Sequence, residues 1–277
     1  MGFRIATNVS AINAQKSLSK ISREEANTSA KLSSGSRITR SADDAAGLAI
    51  SEKLKANIRS SQQANRNAND GISMIQVAEG GLNESANILT RLRELAIQSA
   101  SDTVGDTERG YTDMEYQQLK GELERISQTT KYNGVSLLDG QGGQLDFQIG
   151  AGNDDFQDRI SYDPGKMNAG LSALGMEGES VASKEGAQTS LEKVDAAINN
   201  LSGQRATLGA LQNRLISTSA NLETSVENMS AANSRIRDVD YAQATAEATQ
   251  QRVMKQAGVA VLTQANQSPQ SALRLIG

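Results

Sequence analysis

Two adjacent carboxylates, Asp43 and Asp44, are the first residues whose types and spacing could do chemistry. A carboxylate pair can divide acid and base work between one protonated and one ionised group. Their setting favours a simpler role. Ser41 and Asp44 stand three apart just ahead of an apolar-periodic run, the spacing of a capping box with Asp in place of the usual Glu. Acids also suit the positive end of a helix. The other reactive residue types are missing: among 277 residues there is no His, no Cys and no Trp. That excludes a Ser-His-Asp triad, an HExxH metalloprotease, a thiol nucleophile and an ordinary structural zinc site. Gly140-Gln-Gly-Gly is not followed by Gly-Lys-Ser/Thr, so it reads as turn chemistry and not as a phosphate loop. Six Asn-x-Ser/Thr sequons begin at Asn8, Asn27, Asn83, Asn200, Asn228 and Asn266. A chain rich in Asn and Ser produces such triplets by chance. The residues therefore predict no catalysis, no cofactor and no metal.

The composition says what kind of scaffold carries them. Apolar residues make up 37% and aromatics 3%. A compact globule of this length would use more large side chains, so thin packing layers and an elongated shape are expected. The net charge of −4 argues against nucleic-acid binding, although the charge is unevenly spread. Residues 1–40 carry seven bases against two acids, whereas residues 101–160 carry twelve acids against five bases. The N-terminus shows no apolar h-region and no cleavage site of a secretory signal. The apolar stretch Ala257 to Leu262 is far too short to span a membrane. These features predict a cytosolic protein, or one exported without a cleaved signal, with no membrane partner.

The strongest pattern is a sustained 3/4 spacing. One run reads Leu54, Ile58, Ser61, Asn65, Ala68, Ile72, Ile75, Glu79, Leu82, Ala86, Leu89, Arg93, Ala96, with nine of thirteen positions apolar. A second contains the wholly apolar heptad register Val194, Leu201, Leu208, Leu215, Leu222, Met229, Ile236. Such repeats keep one stripe against a partner helix, and neither run contains Pro. They predict a mainly α fold, with long antiparallel helices in a coiled-coil-like rod. Its core would include Leu82, Leu89, Leu201, Leu208, Leu215 and Leu222. The first long helix is expected to start near Ser41 and run to about residue 100. A shorter helix is expected over 108–130, with Met114, Leu119, Leu123 and Ile126 on one apolar face.

Between the long helices the chain changes character. Residues 133–178 are studded with Gly and include Asn133-Gly134 and Asp163-Pro164-Gly165. Alternating segments such as Leu145-Asp146-Phe147-Gln148-Ile149 separate the turns and predict short strands or hairpins. The two ends differ again. Residues 4–33 show weak helical spacing through Ala11, Ala14, Leu18, Ile21 and Leu32, and residues 242–265 are rich in Ala and Gln. With few bulky anchors, each end is expected to be disordered until it meets a partner.

Several ordered segments then resemble bacterial flagellin. They are Ile5-Ala-Thr-Asn-Val-Ser-Ala-Ile-Asn-Ala-Gln, Leu32-Ser-Ser-Gly-Ser-Arg-Ile-Thr-Arg-Ser-Ala-Asp-Asp-Ala-Ala-Gly-Leu-Ala-Ile, and Gly71-Ile-Ser-Met-Ile-Gln-Val-Ala-Glu-Gly-Gly-Leu. Tyr132-Asn-Gly-Val-Ser-Leu-Leu, Leu208-Gly-Ala-Leu-Gln-Asn-Arg-Leu and Gln256-Ala-Gly-Val-Ala-Val-Leu-Thr-Gln-Ala-Asn-Gln follow in order. The resemblance covers nearly the whole chain. It implies an extracellular filament subunit for swimming, a helical homopolymer without large outer domains. The implied division is an inner-core helix over 1–42, an outer-core rod over 43–235 that includes the Gly-rich β-region at about 133–185, and an inner-core helix over 236–277. A hook-filament junction protein of the same export system shares such ends, but the filament motifs here run through the rod as well. The resemblance further implies an export chaperone, with Val253, Val259, Val261 and Leu262 serving chaperone and inner-core packing, and it implies filament cap and hook-junction partners. Finally, it implies recognition by the flagellin-specific Toll-like receptor through Arg91-Leu-Arg-Glu-Leu-Ala-Ile-Gln. There Arg91 would be the charged anchor, Leu95 the apolar contact, and Glu115 would complete the patch, a surface also used in subunit packing.

Overall fold

The structure, a computed structural model, describes residues 7–273, with side chains through Gln267. Ile5 and Ala6 of the opening motif and the last residues of the expected 236–277 segment lie outside the described residues. The described helices are α1 (Val9–Ser34), α2 (Ala45–Ala100), α3 (Asp106–Thr129), α4 (Lys184–Arg237) and α5 (Tyr241–Leu273). Between α3 and α4 lie two antiparallel strand pairs, β1 (Lys131–Tyr132) with β2 (Val135–Ser136), and β3 (Leu145–Gln148) with β4 (Arg159–Tyr162). The fold is mainly α with small hairpins, as the spacing predicts. Contacts divide it into two compact units, one of residues 57–227 and one of residues 1–56 with 228–277.

In the larger unit α2, α3 and α4 share one hydrophobic core with the intervening loops. Leu82, Leu89, Leu201, Leu208 and Leu215 are all buried in it. The antiparallel α2/α4 seam is marked by Arg93 donating to Asp195 at 2.7 Å and by Ser219 donating to Asn65, also at 2.7 Å. Leu222 departs from the expected core set, because it is only half-buried. The reason is coverage. The β3–β4 hairpin reaches α2 at Asn67, whose amide donates to the Gln148 carbonyl, and at Gly71, where Phe147 packs. Leu222 lies past the reach of that hairpin, and two helices alone bury only their facing stripe.

Helix α2 buries a second 3/4 register beside the first. Met74, Ala78, Ser85, Ile88, Leu92, Leu95 and Ser99 are all buried. This stripe meets α3 and the loops: Arg109 donates from Nε to the Ser99 carbonyl at 2.9 Å. A Cβ on Gly81 would lie 2.7 Å from Thr130 Oγ1 and 2.8 Å from Leu138, so the small residues of this register let the β1–β2 segment sit close. On α3, Tyr116, Leu123 and Ile126 are buried, but Met114 is 59% exposed. The expected face is therefore rotated: α3 buries Thr112, Tyr116, Lys120, Leu123 and Ser127, a stripe that uses the aliphatic stem of Lys120 in place of a methionine.

The Gly-rich region folds as the alternation predicts. Leu145 faces Tyr162 and Phe147 faces Ile160 across the β3–β4 ladder. Leu137 and Leu138 plug the core, and the buried Tyr162 hydroxyl donates to the Leu137 carbonyl at 2.8 Å.

In the smaller unit α1 and α5 lie antiparallel. Lys255 donates to Glu25 at 2.7 Å, Asn8 to the Ala265 carbonyl at 2.8 Å, and Tyr241 to the Leu32 carbonyl at 3.3 Å. Gly35 ends α1 with φ 66, the left-handed cap that glycine accepts without strain. Ser36 and Arg37 then bridge to the end of α4, where Arg37 N donates to the Arg237 carbonyl at 2.6 Å. The segments expected to order only with a partner thus appear here as helices paired with each other.

Candidate functional site

The carboxylate pair is spent on backbone. Asp43 accepts from the amides of Thr39 and Arg40 and from the Thr39 hydroxyl, at 2.9–3.0 Å. These bonds, the Thr39 hydroxyl foremost, hold its carboxyl below the ordinary range. Asp44 accepts from Gly47 N at 2.8 Å and caps α2, which therefore starts at Ala45, after the cap, and not near Ser41. Neither acid is left to do chemistry. Among the described residues no cluster of His, Cys, Asp and Glu could hold a metal, and no helix is long and apolar enough to cross a membrane.

What remains is surface. Arg91 on α2 donates from Nε and Nη2 to Glu115 on α3 at 3.0 and 2.9 Å, and from Nη1 to Glu94 at 2.9 Å. The Glu94 carboxylate first, and Glu115 second, raise the guanidinium above its ordinary range, so it is charged at every working pH. The structure thus brings Arg91 and Glu115 together. It does not bring Leu95 to the same surface: that side chain is 2% exposed and lies within the core. The physical reason is the second buried register of α2, which turns Leu92 and Leu95 toward α3. Tyr111, one turn before Glu115 on α3, is exposed on the same side of that helix, while Ile97 on α2 and Met114 on α3 are exposed on other faces. Reading both 3/4 registers of α2 from the sequence would have found this arrangement, since Gly71, Ala78, Gly81 and Ser85 mark the second one with small residues.

The end helices show a second surface. The face of α5 toward α1 is made of Ala244, Ala248, Gln251, Lys255, Gly258, Leu262 and Ala265, buried or half-buried at heptad spacing. Small and polar residues thus make the intramolecular seam. Val253, Val259 and Val261 are exposed, Val253 at 60%, and only Leu262 of the four expected packing residues turns toward α1. On α1, Val9 and Ile12 are exposed in the same way. Open apolar residues on both partners of a thin seam are what an interaction surface presents. A further exposed aromatic, Phe156, stands in the β3–β4 loop, where no periodic spacing marks it.

Comparison with known proteins matches this architecture. A family model described as the bacterial flagellin N-terminal helical region matches residues 5–142, and one described as the bacterial flagellin C-terminal helical region matches residues 191–276. The flagellin of Halalkalibacterium halodurans is 42% identical over 269 residues, covering 97% of this chain and 98% of that protein. The flagellin of Bacillus subtilis is 40% identical over 305 residues, covering 99% of each. The flagellar filament core protein flaB2 of Brachyspira hyodysenteriae is 42% identical over 287 residues, covering 98% of this chain and 99% of that one. Among solved structures, the crystal structure of Bacillus cereus flagellin aligns with a TM-score of 0.50 at 31% identity, covering 61% of this chain and 94% of that chain.

Proposed function

The chain belongs to the bacterial flagellin family, and on that premise we propose that it polymerises through its end helices and rod faces into a filament that serves swimming. As a member of that family it is a structural subunit of an extracellular filament. The observation that carries the detailed reading is the inverted packing of α5. Its small and polar face pairs with α1 inside one copy, while Val253, Val259 and Val261 stay open. Burying such side chains between copies contributes about 25 cal/mol for each Å² removed from water.

Residues 1–42 and 236–277 then form the inner core of the polymer and residues 43–235 its outer rod. Export proceeds without a cleaved signal, and a chaperone covers Val253 through Leu262 until assembly. Filament cap and hook-junction proteins meet the same ends. The exposed Arg91–Glu115 pair is the contact for neighbouring rods and for a flagellin-specific Toll-like receptor, with Tyr111 supplying apolar area and the buried Leu95 supporting the helix from below. Full-length similarity to filament subunits favours this reading over a hook-filament junction protein. Electron microscopy of purified protein seeded with filament fragments tests it. Long helical tubes are expected, and their absence under conditions where the seeds themselves persist would reject polymerisation.

A further inference from the structure

Among the described residues, four asparagines lie outside helices: Asn8, Asn133, Asn153 and Asn168. Three have their side-chain amides engaged. Asn8 accepts from Ala11 N and donates to the Ala265 carbonyl. Asn153 accepts from Arg159. Asn168 accepts from Gly170 N at 2.8 Å. Asn133 differs, because its amide has no hydrogen-bond partner among the described residues. It is exposed, as is Gly134 after it. The two form the tip of the β1–β2 hairpin, with φ 48 and φ 81, both in the left-handed region of a type I′ turn. A Cβ on Gly134 would meet nothing within 4 Å, so the approach to its backbone nitrogen is open.

We propose that Asn133 is a site of spontaneous deamidation. The Gly134 backbone nitrogen loses its proton and forms a bond to Asn133 Cγ. The bond from Cγ to the side-chain nitrogen breaks, and that nitrogen leaves as ammonia with the proton. The resulting cyclic imide adds water at one of its two carbonyls and opens to aspartate or to isoaspartate. Glycine has no side chain to obstruct the attack, and neither a co-reactant other than water nor an oxidant is needed. The turn must open for nitrogen and Cγ to meet. The pairs Lys131–Ser136 and Tyr132–Val135 and the bond from Leu137 N to the Thr130 carbonyl at 3.1 Å hold the base, so only the exposed two-residue tip need open, at little cost.

The neighbouring Asp139-Gly140 is held against the same reaction. Asp139 accepts from Gln141 N at 2.8 Å, and Asn168 fills the space beside Gly140. Product formation at Asn133 has two local consequences. A negative charge appears one residue beyond the strand that starts with Lys131. Isoaspartate also routes the main chain through the β-carbon, which lengthens a two-residue turn just ahead of the buried Leu137 and Leu138.

The test uses the purified full-length chain held folded in warm, mildly alkaline buffer, with peptide mapping by mass spectrometry over time. Asn133 should lose its amide on the order of tenfold or more faster than Asn69 or Asn87, whose helix must unfold first. The rate should rise with pH, because the attacking nitrogen must shed its proton, and isoaspartate should exceed aspartate at this position. Asn133→Gln, which cannot close the five-membered ring, should stop the change there. Equal rates at Asn133, Asn69 and Asn87 would overturn the proposal, as would isoaspartate forming at Asp139 while Asn133 stays intact. The comparison within the unaltered chain decides the claim even if the variant folds poorly.

Discussion

Arg91 and Leu95 sit one helical turn apart on α2 and end in different media: the guanidinium reaches solvent to hold Glu115, while the leucine is 2% exposed in the core. Substitutions at the two positions therefore report different things. Leu95→Ala should lower stability by about 2–5 kcal/mol, the range for a buried leucine that leaves a cavity. Any loss of receptor binding in that variant then follows from a loosened core. Arg91→Ala should leave the melting temperature nearly unchanged, since exposed ion pairs contribute little, yet it should weaken receptor binding and filament sedimentation if this surface is used for both. Thermal melting paired with the two assays separates them. A Leu95→Ala protein as stable as the parent would contradict its placement in the core.

The α2/α4 seam makes a graded prediction. Leu208→Asp and Leu215→Asp each bury an unpaired charge and should cost roughly 3–5 kcal/mol. Leu222 is only half-buried, past the reach of the β3–β4 hairpin, so in Leu222→Asp the new carboxylate can reach water. Its cost should stay near the ordinary range of about 0.5–3 kcal/mol. Denaturant unfolding of the three variants gives the order directly; equal losses would mean that the seam is covered along its whole length.

These two cases also mark what could be read from residue order alone. The heptad leucines of α4 announce themselves because every seventh position is large and apolar. The first α2 register is legible for the same reason, and Asn133-Gly134 fixes a two-residue hairpin through its demand for positive φ. The second α2 register is hidden: Gly71, Ala78, Gly81, Ser85 and Ser99 carry little hydrophobic signal, although their smallness is what admits the hairpins and α3. Leu95 therefore lies in the core and not on the expected surface patch. Met114 misleads in the opposite sense, because a large apolar residue at helical spacing need not be covered. The start of α2 needed the cap geometry, since Ser41 and Asp44 are both acceptable N-cap residues and only the Asp44–Gly47 bond chooses between them.

Stability should be flat across neutral pH and fail at both extremes. The chain has no His and no Cys, so no side chain with an ordinary value titrates near neutrality. Asp43, Asp102 and Asp195 are held below the ordinary aspartate value of 3.8, chiefly by hydrogen bonds from Thr39, Lys184 and Arg93 respectively. A lowered carboxyl contributes stability that is complete above 3.8 and drains away as pH falls through the folded values. On the alkaline side, burial pushes the Tyr116 hydroxyl from 10.0 up to about 12, and burial raises Tyr162 as well. That contribution is complete below 10.0 and is lost as pH climbs toward about 12. Lys120, pushed down by burial, acts with the opposite sign below 10.5, so the curve should rise slightly before it falls. Melting temperatures measured across the pH range check this shape; a transition centred near pH 7 would be incompatible with it.

The exposed face of α5 supplies the sharpest separation of folding from assembly. Val253 is 60% exposed and points away from the α1 seam, whereas Ala248 is buried in that seam. Val253→Asp adds a charge where water already reaches, so α1 and α5 should pair as before and the core of residues 57–227 should melt unchanged. In a polymer the same carboxylate would be trapped between copies without a partner, at a cost of roughly 3–5 kcal/mol for each subunit. Assembly should therefore fail. Ala248→Asp should instead open the α1/α5 seam within one copy, because the aspartate has neither space nor a partner beside α1. Hydrogen exchange distinguishes the two. In the parent monomer the amides of α1 and α5 should already exchange faster than those of α2 to α4, since among the described residues only Thr28, Ala244 and Ala248 are buried on these two helices. Polymerisation should protect them. Val253→Asp should keep the monomer pattern and never gain the polymer protection, and Ala248→Asp should lose even the monomer pattern. Filaments of normal length from Val253→Asp protein would show that this face of α5 is not where copies meet.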